Sequence, residues 1–418
     1  MKNIFLSIAL LFSCLLTSSA QHFEVIAGPI YGHYTESTKN FWMLVQPNNT
    51  VTNDWPTQFN VDLHNYFNNR KRKIEQIDYS SITLDKYVLV KGRISPKENK
   101  DSFEVIAPDT LSFLVGSCAF PFPFATWSGK NREKIFEHMT THRNDFMVWM
   151  GDNVYYLFGE WNSKKKMLKK NIKMRLRPYL KEFLESCPQY ATWDDHDFGP
   201  NNSDIYSPTK HLTLELFKQF WPNPSFGLDT VPGVFTSFQQ EDAEFFMLDS
   251  RFYCSEDSSE LLGKNQMAWL QEKLLASDAN FKFIISGTQI LAINPNGEDY
   301  GDYPKEKATL LNFIKDNSIT GVIFMSGDRH YAELNKLERK GHYPLYEFTT
   351  SPLTSFKNPA PTKLKDNPLR QENTLVHEQN FGKVIITDEN GDRSCVLQIF
   401  DKENQLKWEK KVMASELK

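Results

Sequence analysis

Cysteine is scarce in this chain. There are five in 418 residues, at Cys14, Cys118, Cys187, Cys254 and Cys395. Their scattered spacing excludes a disulfide framework or a zinc module read from sequence. Positive charge is not in excess either: 48 lysines and arginines against 52 acidic residues give a net charge of −4. A dedicated nucleic-acid binder needs the opposite balance, because its affinity comes from displacing counterions. No internal repeat and no low-complexity linker is present. Past residue 20 no apolar run is long enough to span a bilayer. Within residues 1–20, Lys2 precedes a mostly apolar stretch from Ile4 to Leu16, then Ser18-Ser19-Ala20. That pattern predicts a secretory leader cleaved before Gln21, hence an exported protein, periplasmic or extracellular. Leu11-Phe12-Ser13-Cys14 is similar to a lipoprotein box, but Phe12 fits it poorly and Cys14 would leave the apolar region very short. A cleaved leader is therefore preferred to a lipid anchor at Cys14.

Large cores are well supplied. Hydrophobic residues make up 40% and aromatics 14%, and the length predicts one large domain plus a smaller one. Residues 21–108 read as a small all-β domain of the immunoglobulin or fibronectin type. Its runs Phe41–Val45, Phe59–Leu63 and Tyr87–Val90 mix β-branched and aromatic residues between turn signals. Residues 109–418 alternate apolar strands with amphipathic helices, which predicts an α/β fold with buried sheets. The basic run Lys164, Lys165, Lys166, Lys169, Lys170, Lys173, Arg175 and Arg177 reads as a solvated helix face.

The residues just past the strand ends suggest a function. Cys118, Asp152, Asp249, and Asp328 with His330 each come directly after an apolar strand. The same place is held by the stretch Trp193-Asp194-Asp195-His196-Asp197-Phe198-Gly199-Pro200-Asn201-Asn202. One Gly-Asp after a strand is commonly only a turn. Several such endings, all bearing metal-ligand side chains, predict one shared site at the carboxyl ends of the strands. Adjacent carboxylates repel unless something positive sits among them, and metal ions are the simplest such thing.

The donor types sort into two groups. Asp152 and Tyr155 are three residues apart. With a thiolate from Cys118, and with Asp328 and His330, they offer a set suited to trivalent iron. Asp195, His196 and Asn201 offer oxygen and nitrogen ligands to a second, harder ion. Two metals about 3.5–4 Å apart, bridged by a carboxylate such as Asp152, would form a clamp for phosphate esters. His330 and His196 are also candidate acid–base groups; Arg251 and Arg329 are read either as partners of local carboxylates or, for one of them, as a grip on phosphate. Asp195 shares the parity of Trp193 along an extended chain and is read as a metal ligand. Asp197, beside the Gly199-Pro200 turn, is read as a supporting residue that orients His196.

Taken in order, Gly116-Ser117-Cys118, Gly151-Asp152-Asn153-Val154-Tyr155, Trp193 to Gly199 and Gly327-Asp328-Arg329-His330 resemble the motifs of the PhoD-like phosphatases, the alkaline phosphatase D family. Leu248-Asp249-Ser250-Arg251 and the helix Gln266–Leu270 add to the resemblance. It implies a metallophosphoesterase-type core of two facing sheets flanked by helices, preceded by the β domain. It further implies hydrolysis of phosphomonoesters or phosphodiesters with iron (Fe3+) and calcium or another divalent cation. The implied iron ligands are Cys118, Asp152, Tyr155 and Asp328; the divalent ion is implied near Asp152, Asn201 and the Asp194-Asp195 pair. Asn201 and Asn202 both stay open for the asparagine's role, and the region after Thr349-Thr350-Ser351 is unmapped. Two other readings remain: a nuclease- or phospholipid-directed phosphodiesterase, and an exported binding protein with little turnover. Neither oligomeric state nor substrate follows from the sequence.

Overall fold

The computed structural model describes residues 22–48, 55–68, 74–96, 110–120, 132–257, 259–293, 298–358 and 367–418. The leader, Cys14 and the expected domain boundary at 108/109 lie outside them. Strands β1 (Phe23–Tyr34), β2 (Lys39–Pro47), β3 (Ile74–Leu84) and β4 (Tyr87–Pro96) form one antiparallel sheet in the order β1-β2-β4-β3.

The larger body is built from β5 (Thr110–Gly116), β6 (Phe146–Met150), β7 (Gln189–Thr192), β8 (Thr236–Gln240), β9 (Ala243–Met247), β10 (Phe281–Ser286), β11 (Val322–Ser326), β12 (Glu333–Arg339), β13 (His342–Thr349), β14 (Asn380–Glu389), β15 (Asp392–Asp401) and β16 (Leu406–Met413). These make two six-stranded sheets, β16-β15-β14-β5-β6-β7 and β12-β13-β11-β10-β9-β8. Pairings β5–β6, β6–β7, β9–β10, β10–β11 and β11–β13 are parallel. All five therefore end at the same edge as their neighbours.

Phenylalanine fills the space between the two sheets. Phe113 and Val115 from one meet Phe245, Met247, Phe283 and Ile285 from the other, with the Phe113 ring 5.1 Å from Phe146 and from Phe245. The intervening residues point outward, as the two-residue period of a strand requires. Leu114, Met147 and Trp149 pack under the helices Lys134–Thr141, Lys164–Arg175, Pro178–Ser186 and Lys210–Phe220. Phe246, Ile284 and Phe324 pack under Lys264–Ala276 and Pro304–Asp316. The result is the expected pair of facing sheets between layers of helix. Strands buried on both faces read as continuous apolar runs, which is why they were legible.

The amino-terminal unit departs from the expectation. Phe59–Leu63, read as a strand, lies inside a helix, Trp55–Asn68. Phe59, Leu63, Tyr66 and Phe67 recur at helical spacing and are all buried; a five-residue window was too short to show that period. The helix covers one face of the sheet, contacting Phe41, Met43, Val45, Val88 and Val90. The opposite face, Ala27, Ile30, Trp42, Leu44 and Leu89, joins the core of the larger body. Among the described residues the unit is therefore a single sheet between a helix and the larger body, not an all-β immunoglobulin-like sandwich with its own closed core.

Arg175 lies at this seam. It is 5% exposed, and its guanidinium lies 5.8, 4.6 and 4.8 Å from the rings of Trp42, Phe220 and Trp221. Asn171 accepts one of its hydrogen bonds at 3.0 Å. Lys165 and Lys169 reach across to Asp85 in the β3–β4 turn. The basic helix is therefore a docking element, with Arg175 in the core and not on the solvated face expected. Among the described residues no helix is long and apolar enough to cross a membrane. Cys187 and Cys254 are both buried free thiols.

Because Trp42 is fully buried in the shared core, Trp42→Ala should cost roughly 3–5 kcal/mol. A fragment of residues 110–418 should expose the same apolar face and aggregate. Urea denaturation of the variant and size-exclusion chromatography of the fragment check both. A fragment that stays monomeric with unchanged stability would show the sheet to be an independent appendage.

Candidate metal centre

Chain turns at the carboxyl edge of the two sheets bring the predicted residues together. Cys118 follows β5, Asp152 follows β6, Asp195 and His196 follow β7, and Asp328 and His330 follow β11. The strand ends approach closely here. A side chain at Gly151 would meet the Asp194 Cβ at 2.6 Å, and one at Gly327 the Met150 carbonyl at 2.4 Å. Cys118, Asp152, Asp328 and His330 all adopt positive φ, between 54° and 62°. Non-glycine residues avoid that region, and such strain clusters where a site must aim side chains.

Two groups of donors result, and they share a member. Cys118, Asp152 and His330 each place one ligand atom within 4.8 Å of the others; so do Asp152, Asp195 and His196. Asp152 is 1% exposed. One of its oxygens accepts from the Tyr155 hydroxyl at 2.7 Å, and the other from the His196 main-chain N–H at 3.2 Å. The Cys118 sulfur is 3.5 Å from Asp152 and 3.2 Å from the Ser351 hydroxyl. Tyr155 also lies 3.5 Å from His330 Nε2, and its ring sits 4.2 Å from that of His196.

The electrostatics follow from burial without enough positive charge. Burial, then Asp195, Asp194, Asp197 and Asp328, pushes the Asp152 carboxyl well up. Burial, then Asp152, does the same to the Cys118 thiol and the Tyr155 phenol. Burial lowers His330 despite Asp328, which disfavours the protonated imidazole. For Asp195 burial is outweighed by Arg251, His196 and the 2.7 Å hydrogen bond from Asn202 N–H, and its carboxyl stays below the usual range. A cation placed among these groups would reverse the upward shifts, since it favours every anionic form at once.

Several predicted residues have other work. Asp194 is fully buried in an ion pair with Arg251 and belongs to neither donor group. One of its oxygens meets the guanidinium, while the other, buried, has no hydrogen-bond partner. Arg251, a candidate grip on phosphate, is 1% exposed and spans Asp194, Glu298 and Thr288. It neutralises the protein's own charge and has no free face for a substrate. Asn201 is exposed, with its amide on Asn202; it is the main chain of Asn202 that docks on Asp195. Asp328 is partly exposed beside Arg329, at 3.4 Å. Asp249 accepts from Trp193 Nε1 at 2.7 Å and from the amides of Val234, Arg251 and Phe252. It is a structural brace.

Asp197 does not reach His196. It accepts the main-chain N–H groups of Asn153, Val154 and Asp194 at 3.0–3.2 Å, clamping the β6 turn to the β7 turn. Burial pushes its carboxyl up to about 7 while those amides pull it down. Asp195 opens a four-residue helical turn, Asp195–Phe198. The alternation of an extended chain therefore does not govern it, although its carboxylate does reach the donor group.

Ser351 and Asn153 were missed. Ser351 follows β13, takes the His330 N–H at 2.8 Å and faces Cys118. Its place after a parallel strand was a usable signal. Asn153 is 4% exposed and leaves its amide oxygen with no hydrogen-bond partner. A spare oxygen donor beside these groups fits a cation site.

Asp195→Asn should lose bound metal and activity. Asp197→Asn should keep the metal, lose roughly 10–100-fold in affinity or activity, and lose about 1–3 kcal/mol of stability from its buried amides. Metal content, turnover and denaturation measured on both folded variants decide. Metal lost from Asp197→Asn but kept by Asp195→Asn inverts the assignment.

The family profile of the PhoD-like phosphatases matches residues 113–399. Alkaline phosphatase D of Bacillus subtilis (strain 168) is 22% identical over 301 residues, 58% of this chain and 51% of that protein. The chain thus spans about half the length of that curated relative. A solved structure of PhoD superposes with a TM-score of 0.64 at 16% identity, covering 92% of this chain and 91% of the other. The purple acid phosphatase of yellow lupin seeds gives 0.57 at 9% identity, covering 92% and 73%. These two establish the mixed α/β fold with facing sheets. With a profile match over most of its length and the strand-end residues gathered at one edge, the chain belongs to the PhoD-like phosphatase family.

Proposed function

We propose that this protein is an exported, metal-dependent phosphoesterase acting on phosphomonoesters, phosphodiesters or both. Family membership implies a phosphoric ester hydrolase. The observation that carries the metal dependence is the shared position of Asp152 between the groups Cys118–Asp152–His330 and Asp152–Asp195–His196. The donor chemistry fits two unlike cations. Thiol, phenol, imidazole and carboxylate at Cys118, Tyr155, His330 and Asp152 suit iron (Fe3+). Carboxylates at Asp152 and Asp195, with His196 and the asparagine oxygens nearby, suit calcium or another divalent ion. Such ions polarise a phosphoryl oxygen and lower the pKa of bound water.

The chain's own residues do the rest. Tyr155 holds Asp152 by its hydroxyl, and Ser351 fixes the His330 main chain, so both ligands are aimed before substrate arrives. His330, kept neutral by burial, serves better as a ligand than as a proton donor. His196, half-buried over the Tyr155 ring, would hold the second cation with Asp152 and Asp195. Arg251 balances Asp194 and leaves substrate charge to the cations and Arg329. Export rests on the sequence of residues 1–20 alone.

The purified mature protein should hydrolyse a chromogenic phosphodiester or monoester only when metal-loaded. Tyr155→Phe and Cys118→Ser should each remove or shift a visible ligand-to-iron absorption band. Absence of bound metal by elemental analysis, with no turnover after adding iron and calcium, would sink the reading. A visible spectrum unchanged in both variants would remove iron from it while leaving the hydrolase.

A further inference from the structure

A second charged site lies on the seam between the amino-terminal sheet and the larger body. It is a cleft of about 600 Å³ lined by β3, β4, the end of the helix Lys210–Phe220 and the loop after it. It contains no residue of the metal centre. Lys91 and Arg93 of β4 share the strand face of Leu89, which packs into the common core. That face turns from apolar to cationic where the core ends. Lys218 faces them from the helix.

This concentration of positive charge is only partly balanced by the protein: one carboxylate, Asp78, sits opposite Arg93 in the β3–β4 register. Among the described residues, Lys91, Arg93 and Lys218 form no salt bridge. The carboxylate in the cleft, Asp78, is 3.0 Å through each of its oxygens from the Gln76 amide. Arg93 donates to the neutral Asn40 side chain at 3.1 Å. Lys91 donates to the Lys218 carbonyl and lies 4.3 Å over the Phe226 ring. Capping of the helix end accounts for Lys91, but not for Arg93 or Lys218. Nor does it account for Gln219, whose buried Nε2 has no hydrogen-bond partner. Burial, then Lys218, pushes the Lys91 ammonium down to about 7. Three basic side chains and a spare amide donor share the cleft with one carboxylate, which leaves a net positive lining that an anion would complete.

We propose that this cleft binds an organic oxyanion: a phosphate or carboxylate head among Lys91, Arg93, Lys218 and the Gln219 amide, with an apolar body toward Pro224 and Phe226. Charge-assisted hydrogen bonds hold the head, and arginine supplies paired donors that match it. The apolar wall of Pro224 and Phe226 and the volume suit a ligand larger than an inorganic ion.

Calorimetric titration of the full chain with phenylphosphonate and with benzoate tests this. Asp152→Asn is included to disable the metal centre as a competing phosphonate site. In that background at least one probe should still bind, one per chain, and the tighter of the two names the head group. Arg93→Met and Lys218→Met, both at the mouth, should each weaken binding about tenfold or more. Binding of neither probe in Asp152→Asn, or affinity unchanged in the Arg93→Met/Lys218→Met double variant, would overturn the proposal. Should Asp152→Asn not fold, the wild-type chain should show two classes of phenylphosphonate site, one of which the double variant lacks; a single class unaffected by it is equally fatal. Because the readout is binding and not turnover, a protein that hydrolyses nothing could still pass, and an active phosphoesterase could fail.

Discussion

Like charge in a dry place is the constraint on which the site depends. Asp152, Asp194, Asp195 and Asp197 are at most 4% exposed, and Asp328 stands at their rim. The fold disposes of them one at a time. Asp194 is matched by Arg251. Asp197 is surrounded by main-chain amides. Asp195 is stabilised by Asn202 N–H and the nearby guanidinium. Asp152 has only a phenol, a thiol and one amide. It is the carboxylate left short of positive charge, and it is the one both donor groups share. The shortage and the sharing both fit the proposed metal centre, in which the missing charge would come from outside the chain.

The same constraint explains why Arg251 is where it is. A guanidinium facing the cleft would compete with cations for Asp152 and Asp195. Buried behind Asp194 and tied also to Glu298, it contributes its field without occupying a ligand position. Removing one partner of such a pair strands a buried charge, so the arrangement is rigid as well as neutral.

Sequence revealed the layout better than the contacts. Strand-end placement identified Cys118, Asp152, Asp195, His196 and His330 because parallel strands buried on both faces are unmistakable apolar runs, and their ends share an edge. The same rule covered Ser351 after β13, but that strand begins with His342-Tyr343-Pro344, partly exposed, and its pattern is weaker. What sequence could not carry was the division of labour within Trp193–Asn202. Whether Asp194 or Asp195 meets a metal depends on Arg251, more than fifty residues away in the chain. Likewise, the helix Trp55–Asn68 shows its buried stripe only across its full length, and the use of both faces of the first sheet depends on a partner surface assembled from four distant helices.

Backbone strain supplies the last step. Four non-glycine residues of the site, Cys118, Asp152, Asp328 and His330, sit in the left-handed region, at roughly 1–3 kcal/mol each. Glycine would relieve every one of them but would remove the donor. The chain thus keeps a conformation that only the side-chain chemistry justifies. Contacts around the site hold it there: Cys118 N–H on the Gly151 carbonyl, Ala119 N–H on the Asp152 carbonyl, and Thr350 N–H on the Ser326 carbonyl tie adjacent strand ends together. A binding surface without chemistry has no need of a thiol and an imidazole forced into such backbone, pointed at one shared carboxylate. That combination favours a working metal centre over a binding protein on a borrowed fold.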